Sequence, residues 1–360
     1  MSTKKVVKSG AVAKKSAAVV KKNIKPAVKK SHAVVKSHDS DVDLYFDEVV
    51  GQPRAKKQLG FYLDRHIKNG SPVPHLLLLG SKGDGKTHLA KKFAKNLPDT
   101  KDPTRTNKAF FAFNGSAIAS VTMLLEDVLS KLQDTYCTVF IDEAHGLPPK
   151  VQTSLLTILE PNAANRTTYT FNDVQYEFDF RKITFVFATT EDDKIFHALK
   201  DRLQCLVLEP YTAKELAEII NRIVGSKVSF EKGLLEEISG YVRRNARDAD
   251  RMAKNVLSFG TSLFERGHFE ILKDKLNLFP YGITHDEIRA LKILQSDGEC
   301  ALGHLSSRLA QPAKAVQKSL EPYLIAVGLM EIDGKRRITG LGRTFLKGIG
   351  EGVETPEKLP

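Results

Sequence analysis

The chain of 360 residues has no tryptophan, only four methionines and three cysteines. The cysteines, Cys137, Cys205 and Cys300, lie far apart and lack the CxxC or Cys/His spacing of a zinc site or a disulfide framework. They read as core thiols of a protein kept in a reducing compartment, the cytoplasm. No apolar run approaches the ~20 residues of a membrane helix. The longest candidate, around Leu76 to Leu79, is closed by Gly80 and Ser81. The amino-terminal segment also lacks the apolar stretch of a secretory signal. Acidic residues and arginine are missing altogether from Met1 to His38, which holds eleven lysines. The formal net charge is +12, so setting those eleven aside leaves the rest of the chain at +1.

What that first segment does contain is Lys, Ala, Val and Ser, with one proline and no aromatic residue. Such a composition cannot bury enough surface to fold, so residues 1–42 are expected to be a disordered basic arm. As a tether to nucleic acid it would hold by phosphate neutralisation and weaken with salt; as a solvated tail it would do nothing. The remainder can build cores, since 41% of the chain is hydrophobic, and its length suits two or three domains.

From about Leu44 helix and strand signals alternate. Gly51 to Asn69 carries helical spacing, His75 to Leu79 reads as a strand buried on both faces, and His88 to Asn96 is helical again. Thr138 to Ile141 and Ile183 to Thr189 are further buried strands, with helices near Val121 to Gln133 and Lys150 to Leu159. This alternation predicts an α/β core: a mainly parallel sheet with helices on both faces, over residues 43–210. Strand signals stop after Pro210, and Thr212 is a natural N-cap for the first helix of a helical unit, 211–278. A third unit, 279–350, shows helices at His285 to Gln295, Leu302 to Leu309 and Ala313 to Val327, then a hairpin turning at Asp333-Gly334. Three helices and a wing form the winged-helix pattern. The polar end, residues 351–360, is expected to be loose.

Gly80-Ser81-Lys82-Gly83-Asp84-Gly85-Lys86-Thr87 fits GxxxxGK[ST] between a strand and a helix. Glycines there let backbone N–H groups close around phosphate oxygens, and the helix N-terminus beginning near His88 adds partial positive charge. Lys86 is placed for the β and γ phosphates of ATP, and Thr87 for Mg²⁺. Gly80, Gly83, Asp84, Gly85 and His88 complete the loop's side of the site. Hydrolysis needs a second strand end with carboxylates, and Val139 to Glu143 supplies one: Asp142 for the metal, Glu143 to polarise the attacking water. His145 reads either as a relay of γ-phosphate state or as a packing residue.

These motifs resemble the AAA+ ATPases: FDEVVGQ at Phe46 to Gln52, GSKGDGKTHLA, FIDEAH, ATT at Ala188 to Thr190 and LKDR at Leu199 to Arg202. Within that superfamily the chain is similar to the RuvB family of Holliday-junction branch-migration motors, through the helical unit and LEPYLIAVGLME at Leu320 to Glu331. The likeness covers roughly Phe46 to Lys347. It implies that Thr190, with Thr189 as fallback, senses the γ-phosphate, and that Arg202 is an arginine finger acting on a neighbouring subunit's site. It further implies that Arg247 is the lid's sensor arginine, that Val49 and Val50 border the adenine, and that the protein works as a hexameric ring on branched or duplex DNA. DNA contacts would come from Lys314 and Lys318 on the recognition helix and from Lys335, Arg336 and Arg337 on the wing. The segment Thr167 to Phe180 alternates as a hairpin would, where that family docks a RuvA-like adaptor. Its aromatic residues Tyr169, Phe171, Tyr176 and Phe178 either grip a partner or pack on the core. The Arg-Pro pair that usually precedes FDEVVGQ is replaced by SDVDLY, and the basic arm is additional. A clamp-loader-like AAA+ switch and a DNA-tethering protein with a slow regulatory ATPase are the competing readings.

Overall fold

The computed structural model describes residues 45–98, 108–132 and 135–349; the expected arm and the loose end lie outside them. After a first helix, α1 (Pro53–Asn69), the chain runs β1 (Leu76–Leu79), α2 (Lys86–Lys95), β2 (Ala109–Asn114), β3 (Cys137–Asp142) and α3 (Pro149–Ile158). The hairpin β4 (Arg166–Phe171) and β5 (Val174–Asp179) follows, then β6 (Ile183–Thr189), α4 (His197–Lys200) and β7 (Gln204–Val207). Five strands form one parallel sheet in the order β2-β3-β6-β1-β7. The leucine run of β1 is legible in this arrangement. Leu77 packs with Leu155, Ile158 and Leu124 on one face, while Leu76 and Leu78 pack with Leu59, Leu63 and Phe93 of α1 and α2 on the other. Alternation of side chains along the strand splits one apolar run between two cores.

Two strands escape a reading by hydrophobic run. β2 is half-buried at one edge, and β7 is a four-residue opposite edge whose Val207 is 63% exposed. Edge strands lose the continuous burial that marks the central ones. The helix expected at 121–133 winds as a π-helical stretch, Met123–Leu129, and a 3₁₀ turn, Ser130–Leu132, burying Leu124, Leu125, Val128 and Leu129.

The helical unit opens at α5 (Ala213–Val224), capped by Thr212 and Glu215 in a reciprocal capping box. It continues through α6 (Leu234–Ser239), α7 (Ala246–Leu257) and α8 (Arg266–Leu276). It also holds a two-residue parallel strand pair, β8 (Ser229–Phe230) with β9 (Leu263–Phe264), too short to leave a periodic trace in the sequence. Its core is its own, built on Leu216, Ile220, Leu234, Val256, Phe264 and Phe269. The third unit has α9 (His285–Asp297), α10 (Leu302–Leu309), and a helical run made of α11 (Ala313–Ala315), a π turn Val316–Leu320 and α12 (Glu321–Ala326). The wing is β10 (Met330–Asp333) against β11 (Lys335–Ile338), turning at Gly334 with φ +66°, and a helix not expected from the sequence, α13 (Gly340–Gly348), closes that core. This is a P-loop AAA+ core with a helical lid and a winged helix.

Candidate nucleotide site

Because the sheet is parallel, the carboxyl ends of β1, β6 and β3 share one edge, where the glycine loop leaves β1. The register sets Leu78 beside Ala188, with Ile141 beside Phe187 on the next strand, so Asp142 is carried to the level of the loop across β6. There Thr87 Oγ1 donates to Asp142 Oδ2 at 3.3 Å. The loop is wound through Gly83 and Gly85, at φ +93° and +89°, which L side chains rarely adopt. A side chain at Gly83 would also collide with Asn245 of the lid, and one at Gly85 with the Tyr211 hydroxyl.

Lys86 is buried, and its ammonium donates to the carbonyls of Gly80 (2.7 Å) and Ser81 (2.9 Å). Burial lowers its pKa, opposed by Asp84, Asp142 and Glu143 and reinforced by Arg247. Asp84 is buried too. Desolvation pushes its carboxyl up to about 6, although it accepts a 2.5 Å hydrogen bond from Ser81 N. Glu143 sits in the left-handed region at φ +50°, a strained setting for a non-glycine residue. Its backbone is braced by Gly115, where a Cβ would stand 2.6 Å from the Glu143 carbonyl.

These residues open onto a cavity of about 490 Å³ between core and lid. Its lining includes Lys86, Thr87, His88, Asp142 and Glu143 of the core, Arg247 at the start of α7, and the apolar side chains Val49, Val50, Ile219 and Ile223. Of the expected residues, Gly83, Gly85, Lys86, Thr87, His88, the two carboxylates, the two valines and Arg247 are therefore brought together, while Gly80 and buried Asp84 stand behind the cavity lining. Thr190 is exposed and does not line the cavity. Thr189 is buried, its Oγ1 3.0 Å from His145 Nδ1, and the same ring lies 3.4 Å from Glu143 and 3.5 Å from Glu191. His145 thus touches both Glu143 and the strand end. Arg202 lies outside its own chain's cavity, paired with Glu160 and donating to Ala198 O at 2.8 Å.

Sequence reasoning passed over Gln52 and Tyr211. Gln52 Nε2 donates to Glu209 O (2.7 Å) and Asp84 O (3.4 Å), its Oε1 accepts from Glu209 N (2.9 Å), and Tyr211 OH donates to Asp84 O (3.3 Å). Together they tie the loop to the connector that enters the lid. The available signal for Gln52 was its place at the end of FDEVVGQ; the structure shows positive φ at both Gly51 and Gln52.

One expectation on the DNA surface changes, and the open alternative for the hairpin aromatics is decided. Arg336 does not face solvent as a phosphate contact: its side chain is 12% exposed and forms a bidentate pair with buried Glu321, at 2.8 and 3.2 Å. Lys314, Lys318 and Lys335 are exposed, while Arg337 is shared with Glu331 and Glu299. In the β4–β5 hairpin, which does turn at Asn172-Asp173, Tyr176 and Phe178 are buried. Tyr169 and Phe171 pack against the same core, and Tyr169 OH reaches Ser154 at 3.1 Å. The aromatic residues are core, and what the hairpin tip exposes is Val174 and its polar neighbours.

A glycine-rich P-loop after a parallel strand, paired carboxylates two strands away and a lid arginine lining the same cavity define a P-loop ATPase of the AAA+ class. Residues 43–208 match the family described as the Holliday junction DNA helicase RuvB P-loop domain, and residues 280–347 the RuvB C-terminal winged helix domain. The chain is 28% identical over 304 residues to the Holliday junction branch migration complex subunit RuvB of Sulfurimonas denitrificans, covering 81% of this chain and 86% of that one. It is 26% identical to the subunit of the same name from Phytoplasma mali, covering 81% and 87%. Among solved structures, the Thermotoga maritima RuvB Holliday junction branch migration motor superposes with a TM-score of 0.65 at 26% identity, covering 86% of this chain and 97% of that one. The chain is RuvB-like, a distant homologue of these proteins over most of its length.

Proposed function

We propose that this chain is an ATP-driven motor that moves four-way DNA junctions, hydrolysing ATP in the cavity between core and lid. One observation carries the reading: both the P-loop core that holds the cavity's phosphate loop and the winged helix at the other end of the described chain are RuvB-family sequence. The loop amides and the Lys86 ammonium would gather the triphosphate, with Lys86 leaving its two carbonyl partners to do so. Thr87 and Asp142, already 3.3 Å apart, suit Mg²⁺, which when bound offsets charge on the phosphates. Glu143, 38% exposed at the cavity wall, would polarise the attacking water. The adenine would lie among Val49, Val50 and Ile223, and Arg247 would close the lid on the phosphates.

Arg202, turned away from its own cavity, would serve a neighbour in a ring of six, a contact worth ~10³ to 10⁵ in rate where such fingers act. Thr190, with Thr189 behind it, would report the γ-phosphate. Lys314, Lys318 and Lys335 would meet DNA phosphates, with Arg337 once freed from its carboxylates, and a RuvA-like adaptor would dock on the hairpin tip rather than on its aromatic residues. The test is ATP-dependent resolution of a fluorescent four-way junction by the full chain, alone and with an adaptor. Hydrolysis stimulated by DNA without junction movement would reject the motor.

A further inference from the structure

Five consecutive lid residues divide between the nucleotide side and the winged helix. Arg247 lines the nucleotide cavity, Ala246 N donates to Gly83 O at 2.9 Å, and the Asn245 side chain fills the space where Gly83 has no Cβ. Arg244 O accepts from Tyr211 N at 3.3 Å. Arg243 belongs to the other side. Its guanidinium makes two 2.9 Å bonds to Glu287, sits 3.6 Å from the centre of the Tyr323 ring, and donates to Gly282 O at 3.4 Å. Glu287 is 3% exposed and is the residue that caps α9 with Thr284, so the pair lies inside the winged-helix domain's own framework.

The connector between lid and winged helix is held by the same cluster. Tyr281, at φ +61°, donates through its N–H to Gly240 O of the lid (2.6 Å), and its carbonyl accepts from Tyr323 OH of the winged helix (2.5 Å). At Gly282, φ +63°, a Cβ would stand 2.6 Å from Arg243 N. The winged helix also reaches the ATPase core through Lys318 and Glu191, 3.4 Å apart, but that lysine is 57% exposed. A solvent-exposed ion pair exchanges with water at little cost, whereas separating a desolvated bidentate pair strands a buried carboxylate. When core and lid move apart or together, the winged helix is therefore bound to follow the lid.

We propose that Arg243 is a positioning residue that joins lid and winged helix into one rigid body, so that lid closure on nucleotide carries the DNA-facing domain with it. The consequence for junction movement rests on the motor reading above; the rigid body does not. Spin labels on the full chain at exposed Lys232→Cys and Ser307→Cys, with Cys205→Ser, read the lid-to-winged-helix distance. The expected result is one narrow distance that is the same with and without a non-hydrolysable ATP analogue, broadening in Arg243→Met/Glu287→Gln. That double change leaves no buried carboxylate unpaired; Arg243→Lys replaces it if the double variant does not fold. A distance in the unsubstituted chain that shifts with nucleotide overturns the proposal. In junction assays the variant should keep DNA-free ATPase within twofold while spending at least tenfold more ATP per junction resolved. An unchanged ATP-to-junction ratio overturns it. A parent chain that moves no junction rejects the motor reading alone, and the distances still decide the rigid body.

Discussion

Lys335 and Arg336 stand side by side on the wing, and replacing each with alanine should produce opposite kinds of damage. Arg336→Ala leaves Glu321, 3% exposed, without its bidentate partner. Breaking a buried pair by removing one member costs ~3 to 5 kcal/mol, and since the Arg336 side chain keeps 12% exposure, the lower end applies. For a domain of this size each 1 kcal/mol moves the melting temperature by ~4 to 8 °C, so the winged helix should melt ~12 to 24 °C lower. Lys335 is exposed, and Lys335→Ala should change stability by no more than about 0.5 kcal/mol. It should instead lower affinity for every duplex alike and reduce the slope of log affinity against log salt by about 1. With no tryptophan in the chain, calorimetry is the direct probe of melting; anisotropy of labelled duplex across a salt series reads binding. The double change Arg336→Ala/Glu321→Ala should recover part of the stability. If Arg336→Ala melts within about 3 °C of the parent yet weakens DNA binding with a reduced salt slope, the assignment of Arg336 to the domain's framework is wrong.

Further outcomes follow from the nucleotide site. Glu143→Gln should retain ATP while hydrolysis drops ~10² to 10⁴-fold, measured by nucleotide retention beside phosphate release; equal loss of both would remove its role as base. Gly83→Val should abolish nucleotide binding, because φ +93° is strained for any side chain and Asn245 occupies the space, and calorimetric titration would check it. Asp84, with its carboxyl raised to about 6, favours the fold in its protonated form. Its contribution is fully present below the unfolded value near 3.8 and is lost as pH rises through about 6, so Asp84→Asn should stabilise the protein at pH 8 by up to about 3 kcal/mol and scarcely at pH 4. A gain independent of pH in denaturant melts would contradict that account. Tyr211→Phe removes the bond to Asp84 O and should cost ~1 kcal/mol in stability, with a weaker nucleotide affinity that titration can read.

The phosphate loop, Asp142 and Glu143, the lid capped by Thr212 and the winged-helix order were all legible in the chain, because each rests on local spacing. A glycine turn between strand and helix, a carboxylate pair ending an apolar strand, and a Thr three residues before Glu act through neighbours within a few positions. Edge strands β2 and β7 were not legible, since half-burial erases the apolar run that marks a strand. Three positively charged residues in a row, Lys335, Arg336 and Arg337, look alike in sequence. Pairing with Glu321, fifteen residues earlier, puts Arg336 inside while Lys335 stays in water. The hairpin aromatics could face either way until the fold set the hairpin on the core beside Ser154. Arg243 and Arg247 differ by four positions on one segment, yet one closes on the winged helix and the other on the nucleotide cavity. Which charge is buried depends on what other parts of the chain are brought against it, and that is a property of long-range packing, to which local pattern is blind.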